Sequence, residues 1–168
     1  KHLAWYLING RLSAQRAASV SRHIDRLCAR PRPHAQDLAA AYARNREHLA
    51  PWEPLRSEEF FTVRWQQGHV DETLRAVDAG RSCAFVLTDA GGRIVGRLNL
   101  SDIVRGAFWS AHLGYWIDGA VTGRGTMRRA VRAVCDQARD DLGLHRVQAA
   151  TLLHNAASQR VLQANGFR

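Results

Sequence analysis

The residues best placed to do chemistry lie between Ala111 and Leu142. They read as an apolar strand, AHLGYWID, a glycine-bearing loop, GAVTGRGT, and a helix, MRRAVRAVCDQARDDL. Gly119, Gly123 and Gly125 let the backbone turn sharply before the helix, so the first helical N–H groups, which lack partners within the helix, can converge on one guest. Such a place suits a phosphate, because the helix dipole and the orphan donors both favour negative charge. The same pattern also reads as a plain strand-to-helix connection. A second candidate is the segment Asn45-Arg-Glu-His-Leu-Ala-Pro-Trp-Glu-Pro-Leu-Arg56. Its prolines flank Trp52 and Glu53, so a stiff loop presents an aromatic ring and a carboxylate. That is either a binding wall or a tryptophan that plugs the core.

These groups need elements to hold them. In the helix after the glycines, Met127, Ala130, Val131, Val134, Cys135, Ala138 and Leu142 recur at three- and four-residue spacing and share one face, with Arg128, Arg129, Arg132, Asp136 and Arg139 on the other. Ile24 to Arg30 reads as a strand, stopped by Pro31-Arg-Pro33. Gln36 to Asn45 reads as a helix with Leu38, Ala41 and Tyr42 on one side. Ser57 can cap a further helix whose first turn carries Glu58 and Glu59 and which continues through Trp65, Val70, Leu74 and Val77. Cys83 to Thr88 and Arg93 to Ser101 read as strands joined by the turn residues Asp89-Ala-Gly-Gly92. In the second of them Ile94, Gly96, Leu98 and Leu100 alternate with Val95, Arg97, Asn99 and Ser101, which predicts one buried face and one polar face. Asp102 to Trp109 reads as a loop, Arg146 to Leu153 as a strand, and Ala156 to Asn165 as a short helix. The sum is a mixed α/β arrangement with helices covering a central sheet.

Composition narrows the partners. The chain has 168 residues, is 46% hydrophobic and carries a net charge of +9. That is enough chain for one domain with a proper core. Lys1 is the only lysine, so arginine carries the basic balance, and its flat fork of donors suits phosphates and carboxylates. An anionic partner such as a nucleotide cofactor or a ribonucleoprotein fits that surface. Cys28, Cys83 and Cys135 are odd in number and widely spaced, which argues against a disulfide framework or a structural zinc site and for a reducing cytoplasm. The apolar run from Leu3 to Ile8 is too short to span a membrane. Residues 1–24 hold Lys1, Arg11, Arg16 and Arg22 and no acidic residue, with a helical pattern over Leu12 to Val20. They read as a basic extension, an anion-binding amphipathic segment, a poorly ordered lead-in or sequence from a displaced boundary, ahead of a domain over residues 25–168. The sequence begins without a methionine and so reads as starting inside a longer product.

The loop is neither a dinucleotide fingerprint, which needs a glycine where Arg128 stands, nor a Walker loop, which needs Gly-Lys-Ser/Thr. It resembles the acyl-coenzyme A signature of the GCN5-related N-acetyltransferases (GNAT), Gln/Arg-x-x-Gly-x-Gly/Ala, which falls here on Thr122, Gly123, Arg124, Gly125, Thr126 and Met127. Only the central glycine obeys the general pattern. The segment 45–56, Asn99-Leu-Ser-Asp-Ile-Val-Arg-Gly-Ala-Phe108, Leu113-Gly-Tyr-Trp-Ile-Asp118 and Asn155-Ala-Ala-Ser-Gln-Arg-Val-Leu-Gln-Ala-Asn-Gly-Phe167 are similar to one branch, the RimJ/RimL-type enzymes that acetylate ribosomal-protein N-termini. Met127 at the last signature position fits that branch. The resemblance covers roughly Asp25 to Arg168.

The resemblance implies the GNAT fold, with acetyl-coenzyme A (acetyl-CoA) as cosubstrate, no metal, and an acetyl group moved to the α-amine of a protein, a ribosomal protein first among acceptors. It implies pyrophosphate on the N–H groups of Arg124, Gly125, Thr126, Met127 and Arg128, with arginine side chains adding charge-assisted contacts. The pantetheine arm would run beside Tyr115, Trp116 and Ile117, and Asn155 would complete the cofactor site. The family's usual acid, a tyrosine seven residues after Asn155, is Leu162 here. The branch's serine matches Ser158, which the resemblance makes the proton donor to the leaving thiolate. Glu53, His112 and Asp118 are the remaining candidates for the base or for a carboxylate contact to the substrate, because the branch's own glutamate and two further strands would follow Arg168. The chain therefore reads as a GNAT domain incomplete at both ends. Acetylation of a small amine such as a polyamine or antibiotic, and non-catalytic binding of acyl-coenzyme A or of the ribosome, are the alternatives.

Overall fold

The structure, a computed structural model, describes residues 3–9, 24–26 and 34–168, the first two segments by backbone alone. A six-stranded sheet runs in the order β1-β6-β5-β4-β3-β2. Its strands are β1 (Leu3–Asn9), β2 (Ile24–Arg26), β3 (Cys83–Thr88), β4 (Ile94–Val104), β5 (Ser110–Ile117) and β6 (Arg146–Leu152). Every neighbouring pair is antiparallel except β5 and β6. The helices are α1 (His34–Arg44), α2 (Arg46–Leu49), α3 (Val63–Asp78), α4 (Thr126–Asp140) and α5 (Ala156–Gln163). This is the mixed α/β class that the strand and helix periodicities predict, but β1 is a strand within residues read as a basic extension. β1 lies along the outer edge of β6, pairing Leu3 with Leu152 and Asn9 with Arg146. The helical pattern over Leu12 to Val20, the proline stop at Pro31 and Pro33, and Cys28 lie outside the described residues. So do the last four residues of the strand expected over Ile24 to Arg30.

Helices cover both faces of the sheet. On one face Leu38, Ala41 and Tyr42 of α1 and Val70 of α3 pack on Ala84, Val86, Ile94 and Trp116. On the other, Met127, Val131, Val134 and Ala138 of α4 and Leu162 of α5 pack on Phe85, Leu87, Leu98, Leu100 and Leu113. Leu38, Leu98, Leu100, Val131 and Leu162 are all fully buried. The apolar face predicted for α4 is the one that is buried. Asp136, expected on its polar face, is buried as well, 3.5 Å from Arg139, and burial pushes its carboxyl above the ordinary range.

Four local expectations change. The polar face expected for β4 is covered by α3, so Arg97 is buried too. A register shift between Leu87 and Thr88 makes Val95 an extra residue, which turns Ile94 to the α1 side, away from Gly96, Leu98 and Leu100. Ser57 does not cap the long helix. It precedes a 3-10 turn over Glu58–Phe61, and extended Thr62 separates that turn from α3 and caps it, Oγ1 accepting the Trp65 N–H at 3.2 Å. Finally, β4 runs on to Val104, three residues beyond its expected end.

Candidate active site

The site opens where β5 and β6 part. Their parallel pairing joins Ser110–His112 to Arg146–Gln148 and goes no further, although both strands continue. Beyond it, Tyr115, Trp116 and Ile117 line one wall of a cleft of about 1410 Å³, and Ala150, Thr151 and Leu152 line the other. Backbone groups on facing strands that do not pair with each other can hydrogen-bond an extended guest laid between them.

The floor of the opening is the turn before α4. Gly123 and Gly125 sit at φ +75° and +70°, left-handed geometry that an L side chain adopts only at a cost. Gly125 is the N-cap of α4, so the N–H groups of Thr126, Met127 and Arg128 have no carbonyl one turn below them. Met127 sends its side chain into the core while its backbone stays at the helix mouth. Arg124, Arg128 and Arg129 line the same mouth, and Arg129 Nη1 donates to the Arg124 carbonyl at 3.2 Å, bracing the turn.

Asp118 builds that turn. Its Oδ1 accepts the Ala120 N–H at 2.9 Å, its Oδ2 accepts Arg44 Nε at 2.9 Å, and Asn45 Oδ1 accepts the Gly119 N–H at 3.0 Å. Burial pushes this carboxyl up, but the hydrogen bonds from Asn45, the Ala120 amide and Arg44 outweigh it and hold it below the ordinary value. Asp118 is thus a hub of the turn, and neither it nor His112, which lies in the paired part of β5, is among the cleft-lining residues.

Ser158, Asn155 and Glu53 all reach the cleft. Asn155 caps α5, its Oδ1 accepting the Ser158 N–H at 3.0 Å. Ser158 Oγ lies 2.8 Å from the Tyr115 hydroxyl, which also donates to the Ser158 carbonyl at 3.3 Å. Leu162 has its side chain wholly in the core, so α5 offers no phenol there. Trp116 presents only its backbone: its ring packs 4.9 Å from Tyr42 in the opposite core, and Nε1 donates to the Tyr42 hydroxyl at 2.9 Å. Glu53 is paired with Arg56 at 3.3 Å. Trp52 is 38% exposed and lies in tilted contact with His154, ring centroids 5.6 Å apart, so it is a wall and not a core plug.

His48, His154 and Arg160 are site-region residues that sequence reasoning missed. His48 packs against Gly119, where an added Cβ would come within 3.2 Å of its ring. His154 immediately precedes the Asn155 cap, which is the signal that could have found it. Among the described residues no group of three or more His, Cys, Asp or Glu side chains is gathered to hold a metal, and no helix is long and apolar enough to cross a membrane.

A mixed sheet that splays in its middle, with a glycine-capped helix start in the splay, is the framework of an acyl-group transferase. Comparison with known proteins gives the family. The chain belongs to the acetyltransferase (GNAT) domain family, whose model matches residues 26–168. It is 35% identical over 134 residues to the [ribosomal protein uS5]-alanine N-acetyltransferase of Escherichia coli (strain K12), a match covering 77% of this chain and 68% of that one. Among solved structures it is similar to the ribosomal-protein-S5-alanine acetyltransferase from Vibrio fischeri, with TM-score 0.77, 37% identity, and coverage of 80% of this chain and 74% of that one. It is also similar to Mycobacterium smegmatis RimJ in complex with CoA-disulfide, with TM-score 0.75, 28% identity, and coverage of 80% and 65%. The chain is therefore an acetyltransferase of the RimJ/RimL-like kind.

Proposed function

We propose that this acetyltransferase moves an acetyl group from acetyl-CoA to the α-amine of a protein N-terminus, a ribosomal protein being the first acceptor to test. The observation that carries this reading is that the β5–β6 splay, the Gly123–Arg128 turn and Ser158 meet in one cleft. The residues present fit acetyl-CoA: two strands that part from each other for the amide-bearing arm, helix-start N–H groups and three arginines for the phosphates. When bound, acetyl-CoA supplies the activated acetyl group. The chain's part is to hold it and to move protons.

A free α-amine has a pKa of about 7.7 to 8.0, so near neutral pH it needs only modest help to become nucleophilic. Glu53, beside the aromatic wall of Trp52, takes that proton directly or through a water. A backbone N–H of Tyr115 to Ile117 receives the developing negative charge on the carbonyl oxygen. Ser158 Oγ donates its proton to the departing sulfur. The resemblance to uS5-alanine acetyltransferases supports a peptide beginning with alanine as the probe. Calorimetry with acetyl-CoA, followed by mass spectrometry of such peptides, tests the reading. Acetylation at the α-amine is the expected result, and absence of acetyl-CoA binding or of acetylated peptide would overturn it.

A further inference from the structure

Resting on that reading, the contact between β5 and α5 assigns a role to a side chain that has none so far. We propose that Tyr115 is the proton reservoir behind Ser158, a positioning residue that aims the serine hydroxyl at the leaving sulfur and refills it as the sulfur departs. Three observations carry this. The two hydroxyl oxygens are 2.8 Å apart, and either can donate. The Tyr115 hydroxyl also has the Ser158 carbonyl at 3.3 Å, so it sits between two acceptors of the same residue. Both residues line the cleft, at the point where α5 closes over the splayed end of β5.

Chemistry requires such a partner. A serine hydroxyl that gives up its proton alone leaves an alkoxide, whereas a phenol has a pKa of about 10, close to the value of about 8.5 for a free thiol. The amine nitrogen forms its bond to the acetyl carbonyl carbon and the carbon–sulfur bond breaks, its electron pair leaving on sulfur. Ser158 Oγ–H passes its proton to that sulfur, and Tyr115 O–H passes its own to Oγ in the same movement. The resulting phenolate takes a proton from water. The proton lost by the amine goes to Glu53 and on to water, so the products are the acetylated amine and the free thiol.

The geometry is held from both sides. Asn155 Oδ1 fixes the Ser158 N–H at 3.0 Å, which sets the first turn of α5. The Tyr115 ring packs against the core beneath α4 and α5, and its strand neighbour Trp116 is anchored in the opposite core by Tyr42.

The test uses coenzyme A itself, the product, and needs no acceptor. In the complex of the wild-type chain the thiol is titrated by thiolate absorbance. Two hydroxyls in series that donate to sulfur favour the thiolate, so the bound thiol should titrate about one unit below the free thiol, a tenfold gain in thiolate. Y115F and S158A should each return it towards the free value, and the double variant should match S158A alone. Tyr115→3-fluorotyrosine, more acidic at nearly the same size, should move it the other way, which separates proton supply from packing. If coenzyme A does not bind, the acetyl-transfer reading falls and this proposal with it. If it binds and its thiol titrates alike in wild type and Y115F, or if Y115F only weakens binding, the reservoir role is overturned while the acetyl-transfer reading stands.

Discussion

Arg44 on α1 and Asp118 at the end of β5 are 74 residues apart in sequence and 2.9 Å apart in space, Nε donating to Oδ2. With the neighbouring bond from Gly119 N–H to Asn45, the pair ties the end of α1 to the turn that opens the cleft. D118A leaves the Arg44 and Ala120 donors without their acceptor in a largely buried place. It should cost about 1 to 3 kcal/mol, a few degrees in melting temperature, and weaken acetyl-CoA binding. Because the native carboxyl is held low, its contribution is complete above the unfolded value near pH 4 and lost as pH falls through the lower native value. Melting curves from pH 3 to 7 should show an acid limb that is shallower in D118N.

His69 gives a second acid limb, at higher pH. Its Nε2 lies 2.7 Å from Arg97 Nη1, and Trp65 stacks on its ring. Burial first, then the Arg97 charge, lowers its pKa to about 4, against the opposing pull of Glu72. The unfolded chain therefore binds more protons between about pH 4 and 6.5, and stability should fall as pH drops through that window. Calorimetric scans should show this slope in wild type and a flatter one in H69Q, and the His69 resonances should titrate near pH 4.

Gly96 is required by the β4–β5 ladder. A Cβ there would lie 2.9 Å from the Trp116 carbonyl, a backbone atom that cannot swing aside. G96A should cost about 1 to 3 kcal/mol, read from the urea midpoint, and should loosen the wall formed by Tyr115 to Ile117.

The arginines at the α4 mouth are exposed, so their help to a phosphate is open to screening. R124A and R128A should each weaken acetyl-CoA binding several-fold at low salt, and the difference from wild type should shrink towards 1 M salt, where the Debye length is about 3 Å. Calorimetric titrations at two ionic strengths check this.

Glu53 should matter to turnover and not to cofactor binding. E53Q keeps its size and removes its basicity, so kcat should fall by about 10²-fold with little change in acetyl-CoA affinity. A change in affinity of the same size would assign Glu53 to binding instead.

Much of this was legible in the sequence, because local periodicity sets the elements. The α4 stripe from Met127 to Ala138 is the stripe that is buried, and the strand, glycine turn and helix form in the order their residues predict. The motif resemblance likewise led to the GNAT family. Errors arose where a second layer decides the environment. Arg97 reads as solvent-facing until α3 is placed over it, and Ile94 changes face because one extra residue enters β4. Ser57 and Thr62 are equally good caps by type, and only the backbone path chooses Thr62.

The site divides the same way. Gly123, Gly125 and the arginines could be found from sequence, since a helix start is built within a dozen residues. The parting of β5 from β6, the Trp52–His154 ring contact, the Arg44–Asp118 tie and the Tyr115–Ser158 contact involve segments far apart in the chain. Residue spacing carries no record of such distances. They exist only once two packed cores have fixed how the strands lie and which side chains face each other across the gap.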